Sequence, residues 1–305
     1  MMNERPETGW RTDLRLRRTR TILLNTGDPE EKRSEIRRYF HDTYDIDESL
    51  LEILRYDETF YRRADPLRHP LIFYFGHTAT FYINKLILAK LLASRLNPIY
   101  ESMFAVGVDE MSWDDLNEEH YDWPPVAEVQ AYRDRVRDVV DKVIRTMPLE
   151  LPITWDSPWW VIMMGIEHAR IHLETSSVLI RQLPIEHVRP HPLWEICRQS
   201  GTAPENELIA VPPGRVVLGK TRDHPLYGWD NEFGTHAEDV KGHLASRYLV
   251  SNREFLAFVE DAGYATQRWW TEEGWKWRTY KQSRHPLLWI PADGAYRLRT
   301  VAEEI

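Results

Sequence analysis

The chain has 305 residues, 42% of them hydrophobic, which suffices for one large domain or two ordinary ones with real cores. A formal net charge of -9 argues against nucleic acid as a general partner, because phosphate binding needs a basic surface. Cys197 is the only cysteine, which excludes an intrachain disulfide framework. No apolar run approaches the ~20 residues of a membrane span, and the start "MMNERPETGWRTDLRLRRTR" lacks the apolar core of a signal peptide, so a cytoplasmic protein is expected.

Residues 1–24 read as an N-terminal extension, and helices dominate from there to about residue 190. "DPEEKRSEIRRYFHDTYDIDESLLEILRY" offers Asp28 as N-cap and sets Ile36, Tyr39, Phe40 and Tyr44 at helical spacing. It predicts a long helix, a short break and a second short helix. "HPLIFYFGHTATFYINKLILAKLLASRL" has a strand-like aromatic start, but its length and Leu/Ala/Lys-rich end predict a buried helix. "PPVAEVQAYRDRVRDVVDKVIRTM" is amphipathic, opened by prolines, with Val126, Val129, Val136, Val140 and Ile144 on its apolar side. "SPWWVIMMGIEHARIHLETSSVLIRQLP" begins at an N-cap Ser157 and stops before Pro184. Four long helices over residues 25–190 make an antiparallel bundle the economical fold, and bundle cores can assemble metal sites.

Residues 191–205, "HPLWEICRQSGTAPE", form a linker. Beyond it, residues 206–305 show short β-type runs broken by Gly and Pro, then one more helix at "SNREFLAFVEDAGY", with a capping box from Ser251 and Glu254. The remainder is turn-rich, so this part reads as the beginning of an α+β domain. Thirteen tryptophans fall mainly into two groups, Trp155/Trp159/Trp160 and Trp269/Trp270/Trp275/Trp277. They are expected to be packing residues, those of the second group partly exposed.

Two histidines four apart on one helix differ by about 40°, so His168 and His172 present their rings to a common point. Glu174 lies about 200° around from His172, which suits it to orienting a group behind the site rather than to ligation. His77, on the apolar second helix, supplies a third imidazole that would be unfavourable to bury unpaired. Three histidines without cysteine suit a catalytic metal with open positions, whereas the bare H-x3-H spacing also arises by chance. The remaining histidines, His41, His69, His120, His187, His191, His224, His236, His243 and His285, read as surface or turn residues.

"FGHTATFYINKL", "ESMFAVGVDEMSWDDLNEEHYDWP" and "EHARIHLETSSVLIRQLP" resemble the DinB-like domain of the 5-histidylcysteine sulfoxide synthases of ovothiol biosynthesis. "VPPGRVVLGK", "YGWDNEFG" and "LVSNREFLAFVEDAGY" resemble the start of the formylglycine-generating-enzyme-like (C-type-lectin-like) domain that follows in that family. The resemblance runs from about residue 25 to the end. It implies an all-α DinB-like four-helix bundle ahead of a partial α+β domain, with His77, His168 and His172 as facial ligands of a non-haem Fe(II). It also implies O2-dependent joining of cysteine to the histidine imidazole as a sulfoxide.

In the family, a tyrosine and further substrate contacts come from a portion of the second domain beyond residue 305. The chain thus reads as an N-terminal part that binds iron but turns over poorly alone, with a separate C-terminal half as a conceivable partner. Ala169 departs from the acidic residue that often follows the first motif histidine. The acidic, aromatic loop offers Asp109, Glu110, Trp113 and Asp114 to substrate ammonium groups, unless it is simply solvated. "GWDNEFG" reads as a turn with Asp230, Asn231 and Glu232 near the pocket or merely structural. The ergothioneine-type synthase, with trimethylated histidine (hercynine) as acceptor, is the nearest alternative. A non-catalytic DinB-like metal module and a thiol-dependent Zn2+ or Ni2+ enzyme are others.

Overall fold

The computed structural model describes residues 3–7, 9–105, 121–199 and 201–305. It divides into two compact units: Met1–Glu195 with Lys220–Phe233 and Val301–Glu303, and Ile196–Gly219 with Gly234–Thr300 and Glu304–Ile305. The loop carrying Asp109, Glu110, Trp113 and Asp114 lies outside the described residues. No helix among the described residues is long and apolar enough to cross a membrane.

The first unit is helical. Helix α1 (Pro29–Leu51) is capped by Asp28, whose carboxylate accepts from the Glu30 and Glu31 amides. The expected second short helix does not form between Leu51 and Tyr56, and α1 itself runs unbroken through "YDIDESLL" to Leu51. The acidic residues there are not solvated: Asp47 and Glu48 are buried and reach Arg133. Helix α2 (Leu71–Leu88) absorbs the strand-like aromatic start and is buried on most sides. A short α3 (Pro98–Met103) follows, capped by Asn97. Helix α4 (Val126–Thr146) buries all five predicted apolar positions. Helix α5 (Trp159–Gln182) takes Pro158 rather than the expected Ser157 as its N-cap residue, although the Ser157 hydroxyl accepts from the Trp159 amide at 3.3 Å. Helices α1 and α2 each pack against both α4 and α5, so the core lies between the two pairs.

At one point α2 and α5 come very close. A Cβ built on Gly165 would stand 2.1 Å from the ring of Tyr82, which is itself fully buried. Gly165→Ala is therefore expected to destabilise the protein. The gain in helix propensity of about 1 kcal/mol is outweighed by overpacking of about 1–3 kcal/mol. A thermal melt at or above the wild-type midpoint would contradict this.

Three histidines expected at the surface are buried. His69 stacks on Phe73 at 4.3 Å, His187 meets the Thr59 hydroxyl at 3.0 Å, and His191 binds Glu52 at 2.9 Å. Both His69 and His191 stand beside prolines at the start of a helical element, Pro70 before α2 and Pro192 in a 3-10 turn, so loop-like sequence surroundings carry no sign of their burial. The N-terminal segment also packs on this unit: Leu16, Ile22 and Leu24 are buried, and the Arg5 amide bonds the Arg55 carbonyl at 2.7 Å.

The second unit holds three antiparallel two-stranded ribbons. Strand β1 (Leu208–Val211) pairs with β4 (His243–Ser246), β2 (Gly214–Leu218) with β3 (His236–Val240), and β5 (Trp289–Ala292) with β6 (Ala295–Leu298). Helix α6 (Asn252–Glu260) has the predicted capping box of Ser251 and Glu254. A further helix, α7 (Glu272–Lys281), stands where only turns were expected. The Thr271 hydroxyl caps it, and Glu272 pairs with Lys276 one turn on. Trp289 is buried beside Phe255 and Tyr296, whereas Trp269 and Trp277 are exposed.

Candidate metal centre

Helix α2 delivers His77, and α5 delivers His168 and His172, to one point in the helical unit; all three are buried. Their ligating atoms lie within 4.8 Å of one another. The Nε2 atom of His168 stands 3.2 Å from that of His77 and 3.1 Å from that of His172. Imidazole nitrogens bound side by side to one ion at about 2.1 Å would stand about 3 Å apart, so the spacing suits a shared cation.

The tautomers favour the same use. His77 Nδ1 contacts the Phe104 carbonyl at 2.6 Å, and a carbonyl can only accept. Nδ1 therefore carries the proton, and the Nε2 lone pair points at the other two rings. In a metal-free site, lone pairs face each other unless a proton lies between them, and burial disfavours that proton. Burial, then the neighbouring His172, His77 and Lys85, push the His168 pKa far below its usual value. Burial and His77 lower that of His172 to about 3. Three imidazoles converging on one point, two of them held neutral by burial, are a donor set that a divalent transition ion fits.

The rings are held by packing. Phe81, one turn past His77, stacks on His168 at 3.6 Å, and Phe73 stacks on His77 at 5.2 Å. Gly76 makes room for Phe104: a Cβ there would stand 2.5 Å from the Phe104 ring. The Phe104 carbonyl can thus reach His77.

The histidines open onto a cavity of about 780 Å³. Its walls include Trp155, Trp160, Tyr227 and Trp229, linked in series by ring contacts of 5.9, 4.8 and 5.3 Å. The segment Lys220–Phe233 belongs to the helical unit, tied down by the Leu24 amide on the Pro225 carbonyl at 2.7 Å. Asp230 lines the cavity, and Glu232 caps its own turn through the Trp229 amide at 2.9 Å. Trp159 is a core residue, but its neighbours Trp155 and Trp160 face the cavity.

Glu174 is exposed and does not line the cavity. The position behind His77 is taken instead by the Phe104 carbonyl, a backbone group with no sequence signature. Phe81 and Lys85 had one: they follow His77 at spacings of four and eight, on neighbouring turns of its helix.

Two known domain types match the chain. Residues 39–176 match the DinB superfamily, and residues 195–295 match the sulfatase-modifying factor enzyme 1-like domain. The chain therefore carries a DinB-like helical domain followed by a sulfatase-modifying-factor-like domain. It is homologous to the hercynine oxygenase of Mycolicibacterium smegmatis, 27% identical over 253 residues, which are 80% of this chain and 55% of that protein. The Mycolicibacterium thermoresistibile hercynine oxygenase is 34% identical over 96 residues, 27% of this chain and 22% of that protein. Ergothioneine biosynthesis protein 1 of Neurospora crassa is 26% identical over 213 residues, 63% of this chain and 24% of that protein. The chain spans about half the length, or less, of these curated relatives.

Proposed function

We propose that the chain carries the centre of a non-haem Fe(II), O2-dependent sulfoxide synthase that joins cysteine to the imidazole of histidine, giving 5-histidylcysteine sulfoxide. His77, His168 and His172 are the proposed ligands. The observation that carries the reading is three buried imidazoles, with Nε2 contacts of 3.1 and 3.2 Å, on the wall of a large open cavity. Bound Fe(II) would supply a site for the cysteine thiolate and for activation of O2. The stoichiometry closes with one thiol S–H and one imidazole C–H lost, one O2 consumed, one oxygen atom on sulfur and one water released.

The protein's own groups have separate tasks. The Phe104 carbonyl keeps the His77 proton on Nδ1, and Phe81 holds the His168 ring in place. The aromatic wall limits water around the reacting atoms. Asp109, Glu110, Trp113 and Asp114 are the proposed contacts for a substrate ammonium group. A second reading has hercynine as acceptor, favoured by the names of the relatives from M. smegmatis and M. thermoresistibile.

The test is anaerobic Fe(II) reconstitution of the wild type and of His168→Ala/His172→Ala, followed by cysteine with histidine or hercynine in air and mass spectrometry. One iron per wild-type chain and none in the variant is expected, with any sulfoxide formed by the wild type alone. Absence of iron uptake by the wild type refutes the centre. Product from hercynine but not histidine moves the assignment to the second reading.

A further inference from the structure

Among the described residues, the charged side chains lining the cavity apart from the histidines are Lys85 and Asp230. Neither has an ion-pair partner among the described residues. Lys85 leaves α2 two turns past His77, and its ammonium lies 5.1 Å from the centre of the Phe81 ring. That ring stacks on His168 at 3.6 Å, so the cation is within reach of a ligand seated at the histidines. The Lys85 side chain is half-buried and touches an aromatic face rather than a carboxylate. Asp230 approaches from the loop that also supplies Tyr227 and Trp229, at the head of a 3-10 turn (Asp230–Glu232).

Among the described residues, one cation and one anion without ion-pair partners on the walls of a single cavity complement a zwitterion. A phosphate or a simple anion would leave Asp230 opposed, and a simple cation would leave Lys85 opposed. We propose that Lys85 binds the α-carboxylate and Asp230 the α-ammonium of an amino-acid ligand whose side chain reaches the three histidines. This rests on the iron-centre reading and deepens it, by assigning specificity to two residues that ligate nothing. Lys85 contributes a charge-assisted hydrogen bond to the carboxylate. Asp230 favours an ammonium with N–H donors over a trimethylated one, which has a charge but nothing to donate.

The experiment uses Fe(II)-loaded protein under argon, where no turnover occurs, and reads dissociation constants by calorimetry with iron stoichiometry measured alongside. The probes are histidine, histamine, which lacks the carboxylate, and imidazolepropionate, which lacks the ammonium. The variants are Lys85→Met, Lys85→Arg and Asp230→Asn. Lys85→Met is expected to weaken histidine and imidazolepropionate by about tenfold and to leave histamine unchanged, with Lys85→Arg restoring much of the loss. Asp230→Asn should weaken histidine and histamine and spare imidazolepropionate.

Uniform weakening of all three probes by Lys85→Met, or no change for histidine in either variant, overturns the assignment while leaving the iron centre standing. A wild type that takes up no iron, or whose iron binds none of the three probes, overturns the reading of the centre and this proposal with it.

Discussion

Arg133→Met is expected to lower the unfolding free energy by about 3–5 kcal/mol, the usual range when one member of a buried ion network is removed. Arg133 is wholly buried on α4, 3.0 Å from Asp47 and 3.2 Å from Glu48 of α1. It also donates to the Phe75 carbonyl at 2.6 Å and the Thr78 hydroxyl at 2.7 Å on α2. Its guanidinium lies over the rings of Tyr44 and Phe75, at 4.7 and 4.6 Å. One side chain thus satisfies polar groups on two other helices, and its loss leaves two carboxylates in the core.

Burial alone already raises the Asp47 pKa, with Arg133 pulling the other way. Without the arginine, that carboxyl would protonate well above its usual range. Arg11 bonds Glu48 and Glu52 from outside and would compensate in part. The triple variant Arg133→Met/Asp47→Asn/Glu48→Gln should recover much of the loss, because neutral partners no longer need a countercharge. Urea unfolding of the single and triple variants checks both statements. A single variant within about 1 kcal/mol of the wild type would mean that the network is not what holds α1, α2 and α4 together.

The same network shows where sequence reading stopped. Apolar periodicity placed α4 and most of α1, and the prolines located the ends of α5, because these signals are local. It could not tell that Asp47 and Glu48 face inward, since their partner lies 85 or more residues away. The three histidines were legible as a set because two share a helix face and the third lies in an apolar helix. The support behind His77 was not, because it is the carbonyl of Phe104. Nor did the aromatic wall emerge as one surface, because Trp155 and Trp160 meet Tyr227 and Trp229 only through tertiary packing. Helix α7 was missed for another reason: its tryptophans and glycine mask an ordinary Thr cap.

Acidification from pH 7 to pH 5 is expected to destabilise the metal-free protein through the histidine cluster. In the unfolded chain His168 and His172 titrate near 6.5. In the folded chain burial, with the neighbouring imidazoles second, holds His172 near 3 and His168 lower still. Between those values the unfolded state takes up protons that the folded state refuses, so stability falls as pH falls below about 6.5. Each histidine contributes about 1.4 kcal/mol per pH unit once well below that point, which amounts to about 3–4 kcal/mol for the pair by pH 5. Asp47, whose folded pKa is raised, works in the opposite direction, so the comparison must be internal. Urea midpoints of the apo wild type and of His168→Gln/His172→Gln at both pH values supply it. The wild type should lose several kcal/mol more than the variant between pH 7 and 5. Equal losses would mean that the two imidazoles are solvated or protonated in the fold, and then their lone pairs would not be standing ready for a metal.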